Sequence, residues 1–311
     1  VIRRAFWNDD ERRVRALWRL LLHGLALSLI GLLVWVLAGT LGLVSGTGLT
    51  AGNMALQLLI VLLATSLCAR WLDRRPLDAF GLRMSPRWWL DLGAGFAIGA
   101  ILMTGIFLFE LEVGWVTIVD RNVGPAGRPF WLALADPFAA FIAVGFYEEL
   151  MSRGYHLRNM AEGFHSGRVG PRAALVLATV ASAAVFGLLH AGNANATVIS
   201  SINVGLAGCM LALGLLLTGE LALPIGLHIS WNFFQGNVFG FPVSGNPMPT
   251  RVFAVEQGGD PLLTGGAFGP EAGVIGLIAM LVGAGLIAAW VQVTRRELRL
   301  QPGLARPDAR S

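Results

Sequence analysis

The sequence predicts an all-α fold, a polytopic membrane helix bundle of about eight transmembrane helices. Three observations lead there. Hydrophobic residues make up 55% of the 311 positions and charged residues 14%, against about 25% charged in a soluble domain. Apolar runs of bilayer-spanning length recur along the chain, at about 17–43, 54–72, 91–112, 130–150, 173–191, 198–217, 221–240 and 272–293. Finally, the basic residues, all 23 of them arginine, alternate between connections as the positive-inside rule requires.

The first run follows RRAFWNDDERRVRALWR, which reads like the n-region of a signal peptide. The run itself far exceeds a 7–15-residue h-region, so an uncleaved first span is expected. Arginines 3, 4, 12, 13, 15 and 19 precede this span. Arginines 70, 74, 75, 83 and 87 surround the second connection, 153, 158, 168 and 172 follow the fourth run, and 295, 296, 299, 306 and 310 close the chain. That places 20 of 23 on one side; the alternate connections hold Arg121, Arg128 and Arg251. Both termini are therefore expected in the cytoplasm and the chain in a bacterial inner membrane. The absence of lysine fits a GC-rich bacterial genome.

Residues 1–311 read as one integral membrane domain, with 294–311 as a cytoplasmic tail ending in a disordered RPDARS. The net charge of +4 is spread over the loops, so nucleic acid is not an expected partner; the lipid bilayer is. Cys68 and Cys209 both lie in apolar runs and read as buried small residues rather than a disulfide framework. The outer connection 241–271 is rich in Gly and Pro; a tether is favoured over a lid. Oligomeric state is not legible.

Ionisable groups inside a span are expensive and mark function, and three polar clusters stand out. The first is EELMSR, 148–153. With Asp136 as N-cap and Pro137 at N1, its helix is expected over 137–162, which puts the glutamates near its middle. Glu149 and Arg153 are i, i+4 and share a face. Glu148 and Arg153 do not, so Glu148 must find partners on other helices, where a desolvated carboxylate suits acid–base chemistry. A structural ion pair is the alternative. The second cluster is FGLLH, with Phe186 and His190 on one face; alone, the histidine reads as a structural hydrogen-bonding residue. The third is HISWNFFQ, where His228, Asn232 and Gln235 form a polar stripe that suggests a lined cavity rather than helix–helix glue.

EExxxR (148–153), FxxxH (186–190) and HxxxN (228–232), in that order, resemble the CPBP family of intramembrane proteases, which includes the type II CAAX prenyl endopeptidases and the bacteriocin self-immunity proteins. The resemblance covers about 136–245, the expected catalytic core, and RRPLDAFGLR (74–83) is similar to the segment that often precedes it. It implies that Glu148 and His190 activate a water that attacks a peptide carbonyl. It also implies that His228 and Asn232 form the oxyanion hole, and that Glu149 and Arg153 support the site. Ser152 departs from the family's usual aromatic residue before the arginine, which bears on packing rather than chemistry.

No cofactor is expected. The alternative is zinc on Glu148, His190 and His228, a His₂Glu set, though no HExxH is present. The expected partner is a peptide or membrane-protein substrate. Two other functions remain open: a non-catalytic immunity or scaffold protein of the same fold, and a proton-coupled transporter, against which the absence of an internal repeat argues. One difficulty concerns depth. His190 falls near the outer end of its run while Glu148 is central, so the two meet only if HAGNANA (190–196) is a break buried in the membrane.

Overall fold

The computed structural model describes residues 5–9, 11–44, 46 and 48–306; the expected positions of Arg3, Arg4, Arg310 and most of RPDARS lie outside them. Seven helical segments are long and apolar enough to cross a membrane: α1 (Ala16–Thr40), α2 (Ala51–Asp73), α3 (Pro86–Glu112), α4 (Phe130–Phe164), α5 (Pro171–Leu189), α6 (Val198–Thr218) and α8 (Val274–Arg295). The chain is a multi-pass membrane protein. The apolar run at 221–240 is α7, an α-helix over Ala222–Phe233 continued by wider turns over Phe234–Val238. It falls short of the roughly 20 residues of a lipid-exposed span. Every residue from Ala222 to Trp231 is buried, so α7 is solvated by protein rather than lipid.

Small residues bring the other helices onto α7. A Cβ added at Gly226 would sit 2.0 Å from the Leu92 carbonyl oxygen, and one at Gly95 on α3 would sit 2.2 Å from that of Leu223. Gly145 of α4 makes room for the Ile229 side chain, 2.6 Å from an added Cβ, with the Ile225 carbonyl oxygen at 3.3 Å. Close backbone approach of this kind replaces the hydrophobic drive that lipid removes. At the periphery, α1 buries only Arg19, His23 and Ala38.

α4 differs from its expected form. It starts at Phe130, seven residues earlier, with Pro129 at the cap position and Pro137 inside the helix. A proline removes one hydrogen bond, which a packed membrane helix tolerates, and the apolar FWLALA turns carry the helix outward past it. Asp136 is not this helix's N-cap; its Oδ1 accepts from the Ala51 amide at 3.4 Å, at the start of α2. At 35 residues α4 runs about 50 Å, well beyond the ~30 Å hydrocarbon core. Over Leu150–Leu157 it widens into π turns.

Both described chain ends lie at one end of the bundle. Arg13 reaches Glu162 on α4 at 2.8 Å, and Leu304 and Ala305 pack in the same cluster as Phe80, Tyr155 and Ala161. Here a buried ion network was hidden among the arginines counted as loop charge. Glu162 also receives Arg19 at 3.0 Å, Arg158 at 3.8 Å and Arg75, while Arg19 bridges to Asp73 at 2.6 Å. At the opposite end, two connections read as loops pair as an antiparallel ribbon: β1 (Val116–Val123) against β2 (Arg251–Gln257), with an irregularity between Ile118 and Asp120. The β-branched residues of VTIV and RVFAV suit that ribbon.

Candidate active site

The three motifs come together because α4 and α5 form a hairpin. Counted from the turn at 165–170, Glu148 stands 16 residues from Phe164, and His190 stands 19 residues from Pro171. At ~1.5 Å per residue the two heights differ by about 5 Å. Glu148 and His190 therefore stand at nearly the same height in the bundle. HAGNANA breaks the helix directly after Leu189. Asn193 turns inward and donates to the Ser244 carbonyl at 3.1 Å. Gly187 allows α5 and α6 to cross closely, since a Cβ there would meet the Ser201 carbonyl oxygen at 2.2 Å.

The two adjacent glutamates have different surroundings. Glu149 is fully buried. Its Oε1 accepts from Arg153 Nη1 at 2.8 Å and lies 2.8 Å from His228 Nδ1. A carboxylate only accepts, so the ring proton sits on Nδ1. The Arg153 guanidinium stacks 4.1 Å over the Phe186 ring, which ties the first motif to the second. Glu148 retains partial exposure, with 17% of its side chain accessible. Tyr147 donates to it at 3.4 Å, and His228 Nε2 lies 3.8 Å from its Oε2.

His190 caps α5, and its Nδ1 donates to the Phe186 carbonyl at 2.8 Å. That hydrogen bond sets the tautomer in which Nε2 carries the lone pair. Glu148, His190, His228 and Asn232 all line one cavity of about 160 Å³ between α4, α5, α6 and α7, large enough for several waters. Gln235, the third member of the expected stripe, does not line it. It turns away to donate to the Glu271 carboxylate.

The rim of the cavity was not anticipated. Val243, Ser244, Asn246 and Glu271 line it, so the connection 241–271 is no tether. Val243 and Asn246 close a tight turn. Glu271 holds that turn by accepting from the Ser244 amide at 2.7 Å. Burial pushes the Glu271 carboxyl up to about 7, against hydrogen bonds from Ser244 and Gln235 that pull it down. The one sequence signal for this residue is an isolated acid within the apolar GPEAG.

The zinc alternative fits poorly. Glu148, His190 and His228 share the cavity, but among the described residues no three His, Cys, Asp or Glu side chains are grouped to hold a metal ion.

Residues 129–234, about a third of the chain, match the family model described as Type II CAAX prenyl endopeptidase Rce1-like. No curated protein and no solved structure matches the chain. The matched stretch contains EExxxR, FxxxH and HxxxN, and every residue those motifs place in the cavity. Segment 129–234 is thus similar to the CPBP/CAAX family of membrane endopeptidases.

Proposed function

We propose that the protein is an intramembrane endopeptidase of the glutamate type, which hydrolyses a peptide bond of a membrane-associated protein or peptide without a metal. One observation carries this reading: Glu148, His190, His228 and Asn232, from three helices, line a single cavity. Glu148 is the partly accessible carboxylate and His190 presents the lone pair of Nε2, so the two take the proton of an attacking water between them. As the carbonyl carbon becomes tetrahedral, Asn232 and His228 Nε2 donate to its oxygen. For that the His228 ring carries both protons, and Glu149 at 2.8 Å and Glu148 at 3.8 Å are its counter-charges. Arg153 neutralises Glu149 and thereby orients His228; neither touches the substrate. The proton held by Glu148 and His190 then passes to the leaving amine. Asn232 is a neutral amide and a natural oxyanion donor but a poor metal ligand, which favours this route over one through zinc.

We place the chain in the cytoplasmic membrane with both ends inside, supported by the arginine asymmetry. The test is Glu148→Gln. The purified variant should keep its fold and lose cleavage, and substrates should accumulate uncut in its membrane proteome compared with wild type. Proteolysis at the wild-type level by this variant would rule the mechanism out.

A further inference from the structure

We infer that the cavity is entered from the arginine-poor end of the bundle. Its substrate is then a peptide bond in the outer half of a membrane-embedded segment, or a lipophilic peptide presented from outside the cytoplasm, and not a chain terminus held at the cytoplasmic surface. The inference rests on the proteolytic reading above and adds the side of access and the class of substrate.

The first observation is which connections reach the cavity. Its loop-borne lining residues are Leu49 between α1 and α2, Asn193 between α5 and α6, and Val243, Ser244, Asn246 and Glu271 between α7 and α8. All three connections join helices at the same end. The connections at the other end contribute no lining residue among those described. There, below the glutamates, α4 is closed off by buried Tyr155, Leu157 and Ala161 and by the ion network on Glu162.

The second observation is charge, corrected for structure. Some of the arginines that suggest an orientation are buried in ion pairs and report packing instead. With these set aside, the described and exposed arginines at the closed end are 12, 15, 70, 74, 83, 168, 172, 296, 299 and 306. At the cavity end they are Arg121 and Arg128. The bias survives, and basic connections stay in the cytoplasm.

The rim chemistry agrees with a peptide ligand. Asn193, Ser244 and Asn246 present neutral amide and hydroxyl groups of the kind that pair with a peptide backbone. The rim is also braced, by Asn193 to the Ser244 carbonyl, by Ser244 to Glu271, and by the Gly245 amide to the Phe268 carbonyl at 2.7 Å.

Single cysteines test this in a Cys68→Ala, Cys209→Ala background expressed in bacterial spheroplasts. The probes are Asn246→Cys at the rim, Ala207→Cys within the cavity and Ser166→Cys at the closed end, each treated with a small membrane-impermeant methanethiosulfonate and read by mass. Asn246→Cys and Ala207→Cys should react in intact spheroplasts. Ser166→Cys should react at least tenfold more slowly until the membrane is permeabilised. The reverse pattern overturns the proposal, and so does an Ala207→Cys that stays unreactive from outside while Asn246→Cys reacts. Labelling does not depend on catalysis. Failure of the proteolytic reading would appear instead as unchanged cleavage by Glu148→Gln, with the labelling pattern intact.

Discussion

Arg153→Met isolates what holds the supporting carboxylate. The Glu149–Arg153 pair is closed to solvent, with 0% and 2% of the side chains accessible, so the 0–1 kcal/mol typical of surface pairs does not apply. Removing one partner of a buried pair costs about 3–5 kcal/mol, because the remaining charge is left uncompensated. Two local features adjust that range. The guanidinium also stacks on Phe186 at 4.1 Å, which adds ~1 kcal/mol. His228 Nδ1 stays 2.8 Å from Glu149 and retains part of the compensation. A loss of about 3–4 kcal/mol is expected, a large share of the ~5–15 kcal/mol that holds a typical protein together. Glu149→Gln with Arg153→Met removes both charges and should recover most of it, since a buried pair replaced by neutral groups is often near neutral. The assay is the fraction of detergent-solubilised protein that stays monodisperse after heating, for wild type, both single variants and the double. Cleavage should not return in the double variant, because His228 has lost the carboxylate that orients it. An Arg153→Met protein as stable as wild type would refute the reasoning. So would a double variant whose loss equals the sum of the singles, because interacting groups must show coupling.

Gly226→Ala should destabilise by about 1–3 kcal/mol through overpacking, as its Cβ would meet the Leu92 carbonyl oxygen at 2.0 Å. Gly105→Ala on α3, with nothing within 4 Å of the added carbon, should be neutral or stabilising; the same heating assay separates them. Glu162→Gln strips the shared counter-charge from Arg13, Arg19, Arg75 and Arg158, and a loss of at least ~3 kcal/mol is expected. Glu271 gives a pH signature. Its folded-state value of about 7 lies above the ordinary carboxylate value near ~4.3. Between those limits the folded protein keeps a proton that the unfolded chain has released. Stability therefore falls as pH rises across that window, by up to about 4 kcal/mol in all, and levels off above it. Melting Glu271→Gln and wild type at pH 5 and pH 8 should show a flatter difference in the variant.

Local periodicity made the Glu149–Arg153 contact legible, because i, i+4 neighbours on a helix meet whatever surrounds them. The convergence of the glutamates with His190, His228 and Asn232 was legible through three motifs in order. The helix boundaries were less so. Asp136–Pro137 carries a strong start signal, yet the apolar residues before it are worth more in a membrane than one lost hydrogen bond, so α4 begins at Phe130 and Asp136 serves α2 instead. The rim was invisible for the opposite reason. Ser244, Asn246 and Glu271 lie in a Gly- and Pro-rich stretch without periodicity, and only tertiary folding brings them over the cavity. Likewise an arginine facing Glu162 and one facing water look the same along the chain. Burial alone tells Arg19 from Arg12.

The divergence of Glu148 and Glu149 needs more than a helical wheel. In a regular α-helix Arg153 shares a face with Glu149 and not with Glu148. Directly after the glutamates, however, α4 widens into π turns over Leu150–Leu157. Their i→i+5 hydrogen bonds bring residues five apart toward one another, so local geometry leaves Glu148 as a competing partner. Tertiary contacts decide between them. Phe186 on α5 takes the guanidinium on its face at 4.1 Å. Gly208 on α6 leaves room for it, since a Cβ there would lie 3.2 Å from Nη2. Held on that side, Arg153 reaches Glu149, and His228 closes on the same carboxylate from α7. Glu148 keeps its outlook on the cavity because its neighbour has taken the cation. The arginine's place in the motif thus depends on the phenylalanine of the second motif and the histidine of the third, which is why the three motifs act as one structural unit rather than three separate sources of side chains.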